Sequence, residues 1–401
     1  MRYGWKHRGI VVLLALVLAL LLSTGALAAT KLIPGGPSTA GPTPTAGIMT
    51  YADIVKTLYS IENSSKGAVD VFTLTEAAIY SKTKSEAGRE LYVAKVGTGP
   101  VRVWVSANIH GNEQLTSEAV LQVLQYLAKS GSADAKAIGN ELTVYIIPSM
   151  NPDARELNIR GTVLQSGPNI GKQVDLNRDW KNAMEASESK AWYAFWCYMK
   201  PDYLLDLHHQ GFKTVPYTNE STSMSMGISL SPDRNTIPAA YKDPVRQLAA
   251  FVYDDIIGYG YTHIDRYQLF GYPAQGLISE LDFMGGMSSA VMVGTSFFDY
   301  DGLNAVANWT CPAMFFETKG NTSDGSLGQK ANGYLTKQNY QGVMAYLYGL
   351  ASGDVWDVSP SHWYDIPAYS PIWGYYTDFG PQPAAADAAA GDWAPLAFDF
   401  M

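Results

Sequence analysis

Val101-Arg102-Val103-Trp104-Val105-Ser106-Ala107-Asn108-Ile109-His110-Gly111-Asn112-Glu113 is an apolar run that ends in a polar loop. The valines at 101, 103 and 105 alternate with other residues, which is the period of a strand over 101–106. Directly downstream, Ala119, Val120, Val123, Leu124 and Leu127 fall on one side of a helix over 116–129. The alternation of strand and helix continues outward in both directions. A helix is expected at 51–60 and a strand at 90–96. After the quoted run come a strand at 142–148, a helix at 187–199, strands at 203–207 and 313–316, and a helix at 337–350. Such alternation predicts an α/β domain built on a largely parallel sheet. The chain shows no internal repeat.

Composition narrows the class. The chain has 401 residues, 47% hydrophobic and 16% charged, enough for one large domain or at most two. Lys and Arg number 28 against 37 Asp and Glu, a net charge of −9. Arg2, Lys6 and Arg8 lie ahead of an apolar run over 10–22 and the small-residue pattern Ala26-Leu27-Ala28, as in a secretory signal peptide (1–28) cleaved before Ala29. The run is shorter than the roughly 20 residues that span a bilayer. The expectation is therefore a secreted or periplasmic protein with no stable membrane insertion after cleavage, an uncleaved anchor being the alternative. Without the three basic residues the balance is −12, which disfavours nucleic acid and anionic lipid as partners. Cys197 and Cys311 cannot form a disulfide scaffold or a CxxC motif, and the sequence leaves open whether they pair. Residues 29–47 read as a linker rich in Pro, Gly and Thr, 48–351 as the main domain, and 352–401 as an aromatic and Ala/Pro-rich extension.

Three segments carry chemistry. His110 and Glu113 stand three apart on a strand-to-helix loop and can reach one metal ion from the same side, and nitrogen with oxygen donors suits Zn²⁺. His208 sits where the apolar run Tyr203-Leu204-Leu205-Asp206-Leu207 emerges, at the carboxyl end of a strand, where α/β sheets collect ligands. His209 points the other way along the pleat. Two histidines and one glutamate leave a fourth position for water, the pattern of a catalytic zinc. Glu317 follows Phe315-Phe316, so desolvation is expected to raise its pKa toward values useful to a general base; an ion pair with Lys319 is the competing reading. Between these segments lie Asn151-Pro152-Asp153, Asn158-Ile159-Arg160 and Val174-Asp175-Leu176-Asn177-Arg178. Arginines on loops near a metal would form a cationic pocket for a carboxylate.

Taken in order, these segments resemble the zinc metallocarboxypeptidase family, typified by the pancreatic enzymes and their bacterial relatives. The likeness runs from about Tyr51 to Leu350 and includes Gly88-Arg89-Glu90 and Phe316-Glu317-Thr318. It implies a single large domain with a mixed, largely parallel central sheet flanked by helices on both faces. It implies one Zn²⁺ held by His110, Glu113 and His208, with Glu317 as general base. It further implies that Arg160 stabilises the oxyanion, with Arg155 as the competing candidate. Asn177 and Arg178 would hold the terminal carboxylate, and Tyr300 is the candidate for a tyrosine that closes over substrate. Asn112 stands where the pancreatic type has an arginine, and only the linker separates the signal from the domain, so no folded activation segment is expected. Asp299 and Asp301 point to a basic terminal residue.

The function expected is a secreted zinc-dependent carboxypeptidase acting on peptides or proteins with a free C-terminal carboxylate. A related amide hydrolase acting on cell-wall peptides or acylated amino acids is the alternative, and a noncatalytic peptide-binding module the third reading.

Overall fold

The structure is a computed structural model that describes residues 48–369, apart from 182, 211–214, 216, 219–221, 230–238, 268, 272–275, 279, 282–285, 294–308 and 320–327, together with 376–377 and 380–381. It opens with helix α1 (Tyr51–Ser64), started by a capping box in which the Thr50 hydroxyl accepts from the Asp53 amide and the Asp53 carboxylate takes the Thr50 amide. Strand β1 (Val69–Thr73) and a one-turn helix α2 (Leu74–Ala77) follow, then β2 (Tyr92–Val96), β3 (Val101–Ala107), helices α3 (Leu115–Lys129) and α4 (Ala133–Glu141), and β4 (Leu142–Ile147). Helix α5 (Pro152–Leu157) leads into a small hairpin of β5 (Thr162–Val163) and β6 (Gln173–Val174) and a 3-10 turn at Leu176–Arg178. Helix α6 (Ser187–Met199) and strand β7 (Tyr203–Gln210) complete the first half. The second half holds β8 (Met224–Ser229), α7 (Ala239–Gly258), β9 (Ile264–Arg266), a hairpin of β10 (Leu269–Gly271) and β11 (Gly276–Ile278), and β12 (Glu280–Leu281). Helix α8 (Met287–Val293), β13 (Ala313–Lys319) and α9 (Gly328–Ser352) come next, and β14 (Tyr376–Thr377) pairs with β15 (Gly380–Pro381).

The central sheet has nine strands among the described residues, in the order β1-β2-β4-β3-β7-β13-β8-β12, with β9 also beside β8. Its middle is parallel: β4, β3, β7 and β13 run the same way. Beyond it β2 is antiparallel to β4, and β8 is antiparallel to β13. The sheet is thus mixed and largely parallel, and the register fixes what each face carries. Trp104, Leu204 and Ala313 form one row; Ser106, Asp206 and Phe315 form the next; His208 and Glu317 stand side by side in the row nearest the strand ends.

Helices cover both faces. On one, Trp104 packs on Trp192 and Phe195 of α6, with ring centroids 6.1 and 5.6 Å apart. On the other, Phe316 meets α9 at Gly342, where a Cβ would lie 2.8 Å from the phenyl ring, and α9 runs along α3 and α7. Burial on both faces explains why β4 is buried along its whole length.

Several elements were not expected from sequence. Strand β8 alternates Met224, Met226 and Ile228, all buried, with Ser225 and Gly227, so weak strand formers mask its period. Gly227 is required there, because a Cβ would come within 1.9 Å of the Phe315 ring. Helix α7 contains Pro244, which reads as a helix breaker. Helix α9 is longer than the 337–350 expected, and β2 starts at Tyr92 rather than at residue 90. Part of the expected C-terminal extension is built into the domain wall: Val355, Trp363 and Ile366 are buried, and Gln247 of α7 donates to the carbonyls of Trp356 and Val358 at 3.0 and 2.8 Å. Cys197 and Cys311 are both free and buried, so they do not pair. No helix among the described residues is long and apolar enough to cross a membrane. The signal peptide and linker expected over 1–47 lie outside the described residues, as do Tyr300, Asp299 and Asp301.

Candidate metal centre

The quoted loop is folded by asparagines and a glycine. Asn108 leaves β3 with φ +58°, a conformation asparagine tolerates better than most residues. Its side-chain nitrogen donates to the carbonyls of His110 and Gly111 at 2.7 and 3.1 Å. Asn151 caps α5 by accepting from the Ala154 amide at 3.1 Å, and its own nitrogen donates to the Ile109 carbonyl at 3.2 Å. Gly111 is pressed on α5 so closely that a Cβ would lie 2.1 Å from the Ala154 carbonyl carbon. The loop therefore turns tightly enough to send His110 and Glu113 to the same side.

Strand β7 brings His208 to meet them. Glu113 Oε1 lies 2.8 Å from His110 Nδ1 and Oε2 lies 3.0 Å from His208 Nδ1, while the two Nδ1 atoms are 3.3 Å apart. These three residues are buried, and one donor atom from each falls within 4.8 Å of the others. His209 is buried next to them but is outside this cluster. The far nitrogens of both imidazoles are occupied by carboxylates. His208 Nε2 is 2.8 Å from Asp206 Oδ2, whose Oδ1 accepts from Ser106 Oγ at 2.7 Å, and His110 Nε2 is 3.1 Å from Asp175 Oδ1. A proton held at each Nε2 leaves each Nδ1 lone pair aimed at the common point, which is how outer carboxylates set the tautomer of metal-binding histidines. Two nitrogens and one carboxylate in this arrangement fit Zn²⁺ with a position left for water or substrate.

The electrostatics agree. Burial works to raise the Glu113 pKa, but the charges of His110 and His208 and their hydrogen bonds outweigh it, and the carboxyl is held well below its usual range. Burial opposes a charge on His208, yet Asp206 and Glu113 raise its pKa well above the ordinary imidazole value. Asp175 is partly buried, which works to raise its pKa, but Arg160 followed by His110 lowers it well below normal. The carboxylates of Glu113, Asp206 and Asp175 around the two imidazoles favour a cation at the centre.

A recess opens from this cluster, lined by Arg160, Asn177, Arg178, Tyr267, Ser288, Ser289, Phe315 and Glu317 among others. Arg160 Nε donates to Asp175 Oδ2 at 2.9 Å, and its Nη1 is 3.8 Å from Glu113 Oε1. Arg155, by contrast, is buried in the interior and does not line the recess. Arg178 Nη1 donates to its neighbour's carbonyl, Asn177 O, at 2.6 Å. Asn177 accepts from the Met287 amide at 2.9 Å, which leaves its nitrogen toward His208 Nε2 at 3.5 Å. Glu317 lies beside His208 in the β13–β7 register, and the Thr318 hydroxyl ties the strand ends by donating to the His208 carbonyl at 3.1 Å. Burial pushes the Glu317 pKa up, His208 and Arg160 pull it down and Glu113 raises it, leaving it at about 8 in the protein without metal.

Residues 75–268 match the zinc carboxypeptidase family. That segment is similar to the zinc carboxypeptidases. The zinc carboxypeptidase match includes His110, Glu113, Arg160, Asn177, Arg178 and His208 and stops before Glu317, which the sheet register supplies. Among relatives, the human carboxypeptidase N catalytic chain is 31% identical over 144 residues, 32% of this chain and 30% of that protein. Mouse carboxypeptidase M is 29% identical over 174 residues, 39% of each chain. These alignments span well under two thirds of the relatives' lengths. The fold is shared with carboxypeptidase A from Helicoverpa armigera, at 15% identity, a TM-score of 0.51, and coverage of 76% of this chain and 74% of that one.

Reading the sequence did not single out Asn108, Asp175 or Asp206. Asp206 carried a signal all the same: it is a lone carboxylate inside an apolar strand, two residues before a histidine on the same face. Asp206→Asn is expected to weaken zinc binding about 10–100-fold, because the amide can present its nitrogen to His208 and favour the wrong tautomer. Competition with a chelator of known affinity measures this.

Proposed function

We propose that this zinc carboxypeptidase relative removes the C-terminal residue from peptides, using one zinc ion held by His110, Glu113 and His208. The observation that carries the reading is the pairing of Glu317 with His208 in the β13–β7 register, which sets a carboxylate beside the His–Glu–His cluster at the mouth of the recess. Bound zinc supplies Lewis acidity, polarising the scissile carbonyl and lowering the pKa of water. Glu317 accepts the proton as water attacks and returns it to the departing amine. Its burial keeps it a stronger base than an exposed carboxylate, and the charge of the cation lowers its pKa from about 8 toward neutrality.

The remaining residues bind and orient. Arg160 places a guanidinium at the recess within reach of the developing oxyanion, and Asp175 fixes it there while fixing His110. Arg178 and the Asn177 amide nitrogen supply donors for a terminal carboxylate, which confines attack to the last peptide bond. The basic and apolar N-terminus supports export, so we read the site of action as extracellular or periplasmic.

The test is hydrolysis of an N-acylated dipeptide before and after chelation. Dialysis against a chelator should abolish turnover, and one equivalent of Zn²⁺ should restore it. Turnover that persists after complete metal removal would refute the reading.

A further inference from the structure

Arg155 is a fully buried cation that the proposed reaction does not use. Its Nε and Nη2 both donate to the Met49 carbonyl, at 3.1 and 2.6 Å. Its Nη1 reaches the Gln114 carbonyl at 3.3 Å, Ser117 Oγ at 2.9 Å and Asn108 Oδ1 at 3.3 Å. Glu118, also buried, accepts the Met49 amide on Oε1 at 3.2 Å, and its charge faces Arg155. Both backbone groups of Met49 are therefore held by buried side chains, the carbonyl by Arg155 and the amide by Glu118, next to the Pro- and Gly-rich stretch that precedes the domain. Burial lowers the Arg155 pKa only to about 10, so it remains a cation at neutral pH.

The other end of this network is the metal loop. Asn108, which accepts from Arg155 and from Ser149 Oγ at 2.9 Å, is the residue that donates to the carbonyls of His110 and Gly111. Gln114 and Ser117, which also accept from Arg155, begin just after Glu113. One guanidinium thus braces the loop on both sides of its ligands through Nη1 and directs its other two nitrogens to Met49.

We propose that Arg155 is a positioning residue for the metal centre, tying the backbone of Met49 through Asn108 to the His110–Glu113 turn, so that the chain's attachment at Met49 and the affinity for zinc are coupled. A buried guanidinium needs acceptors for its whole fork, so loosening Met49 leaves Arg155 free to shift and slackens its hold on Asn108. Coupling is reciprocal, so a metal that firms the loop must also firm Met49. The inference rests on zinc binding at His110, Glu113 and His208.

The experiment uses the full chain, with Zn²⁺ as the probe. Arg155→Lys keeps the charge but not the fork, and its zinc dissociation constant should rise about tenfold by chelator competition, the lower end for outer-sphere changes. Activity at saturating zinc should fall by less than about threefold, since the loop is restored when loaded. A purely structural role would lower the melting temperature and leave the zinc affinity of the folded protein unchanged, which would overturn the proposal. In wild type, adding zinc should slow hydrogen exchange at the Met49 amide but not at the Val69 amide, which is bonded to Ser65 Oγ outside the network. This second measurement decides the matter if the variant does not fold, and equal exchange at Met49 with and without zinc would overturn the proposal. A wild-type protein that binds no zinc at all would take down the functional reading as well, and that result is recognised from the titration itself.

Discussion

Glu317→Gln is expected to lower kcat about 1000-fold while the protein still takes up one zinc per chain. Glu317 is a recess carboxylate outside the converging metal cluster, placed to take a proton from water, and positioned acid–base groups typically contribute about 10²–10⁴ in rate. Glutamine has the same shape, but it cannot accept the proton. Glu317 is not among the three residues whose donor atoms converge, so zinc stoichiometry should survive. KM should change little, because Arg160, Asn177 and Arg178 are untouched. Initial rates at saturating zinc, together with elemental analysis, check all three points. A variant that kept its rate would remove Glu317 from the reaction.

His208→Ala should have an effect at least as large, with a different signature. It removes one of three ligands and leaves the Asp206 carboxylate buried without its imidazole. Zinc content after dialysis should fall from one per chain to a small fraction, and activity by at least about 10⁴-fold, since several kcal/mol of Lewis-acid stabilisation go with the ion. The two variants are separated by metal content: Glu317→Gln is loaded and slow, whereas His208→Ala is empty. An alanine variant that retained stoichiometric zinc would show that the ion sits elsewhere.

Much of this was legible in the sequence because the fold places its chemistry at strand ends. The valine period of β3, the apolar run of β7 and the diphenylalanine of β13 each announce a buried strand that ends in a polar residue, and those residues are His110, His208 and Glu317. What the sequence did not disclose is long-range register. That Glu317 falls beside His208 depends on pairing across more than a hundred residues, and no local pattern encodes it. The choice between Arg155 and Arg160 was similarly undetermined. Both lie a few residues past Asn151-Pro152-Asp153, but the turn of α5 sends the first inward to Met49 and Asn108, while the second comes out at the recess. Strand β8 and helix α7 were hidden by Ser, Gly and Pro, whose local preferences are overridden by packing on Phe315 and Phe316.

A zinc centre at the recess mouth should cut only next to a free terminal carboxylate. The most direct measurement follows two peptides of one sequence by mass spectrometry, one with a free C-terminus and one amidated, each incubated with zinc-loaded protein. The free peptide should lose its last residue while its amidated twin, lacking the charge that Arg178 and Asn177 would hold, is cut at least about 100-fold more slowly. Equal cleavage of the two, or cuts at internal bonds, would contradict it.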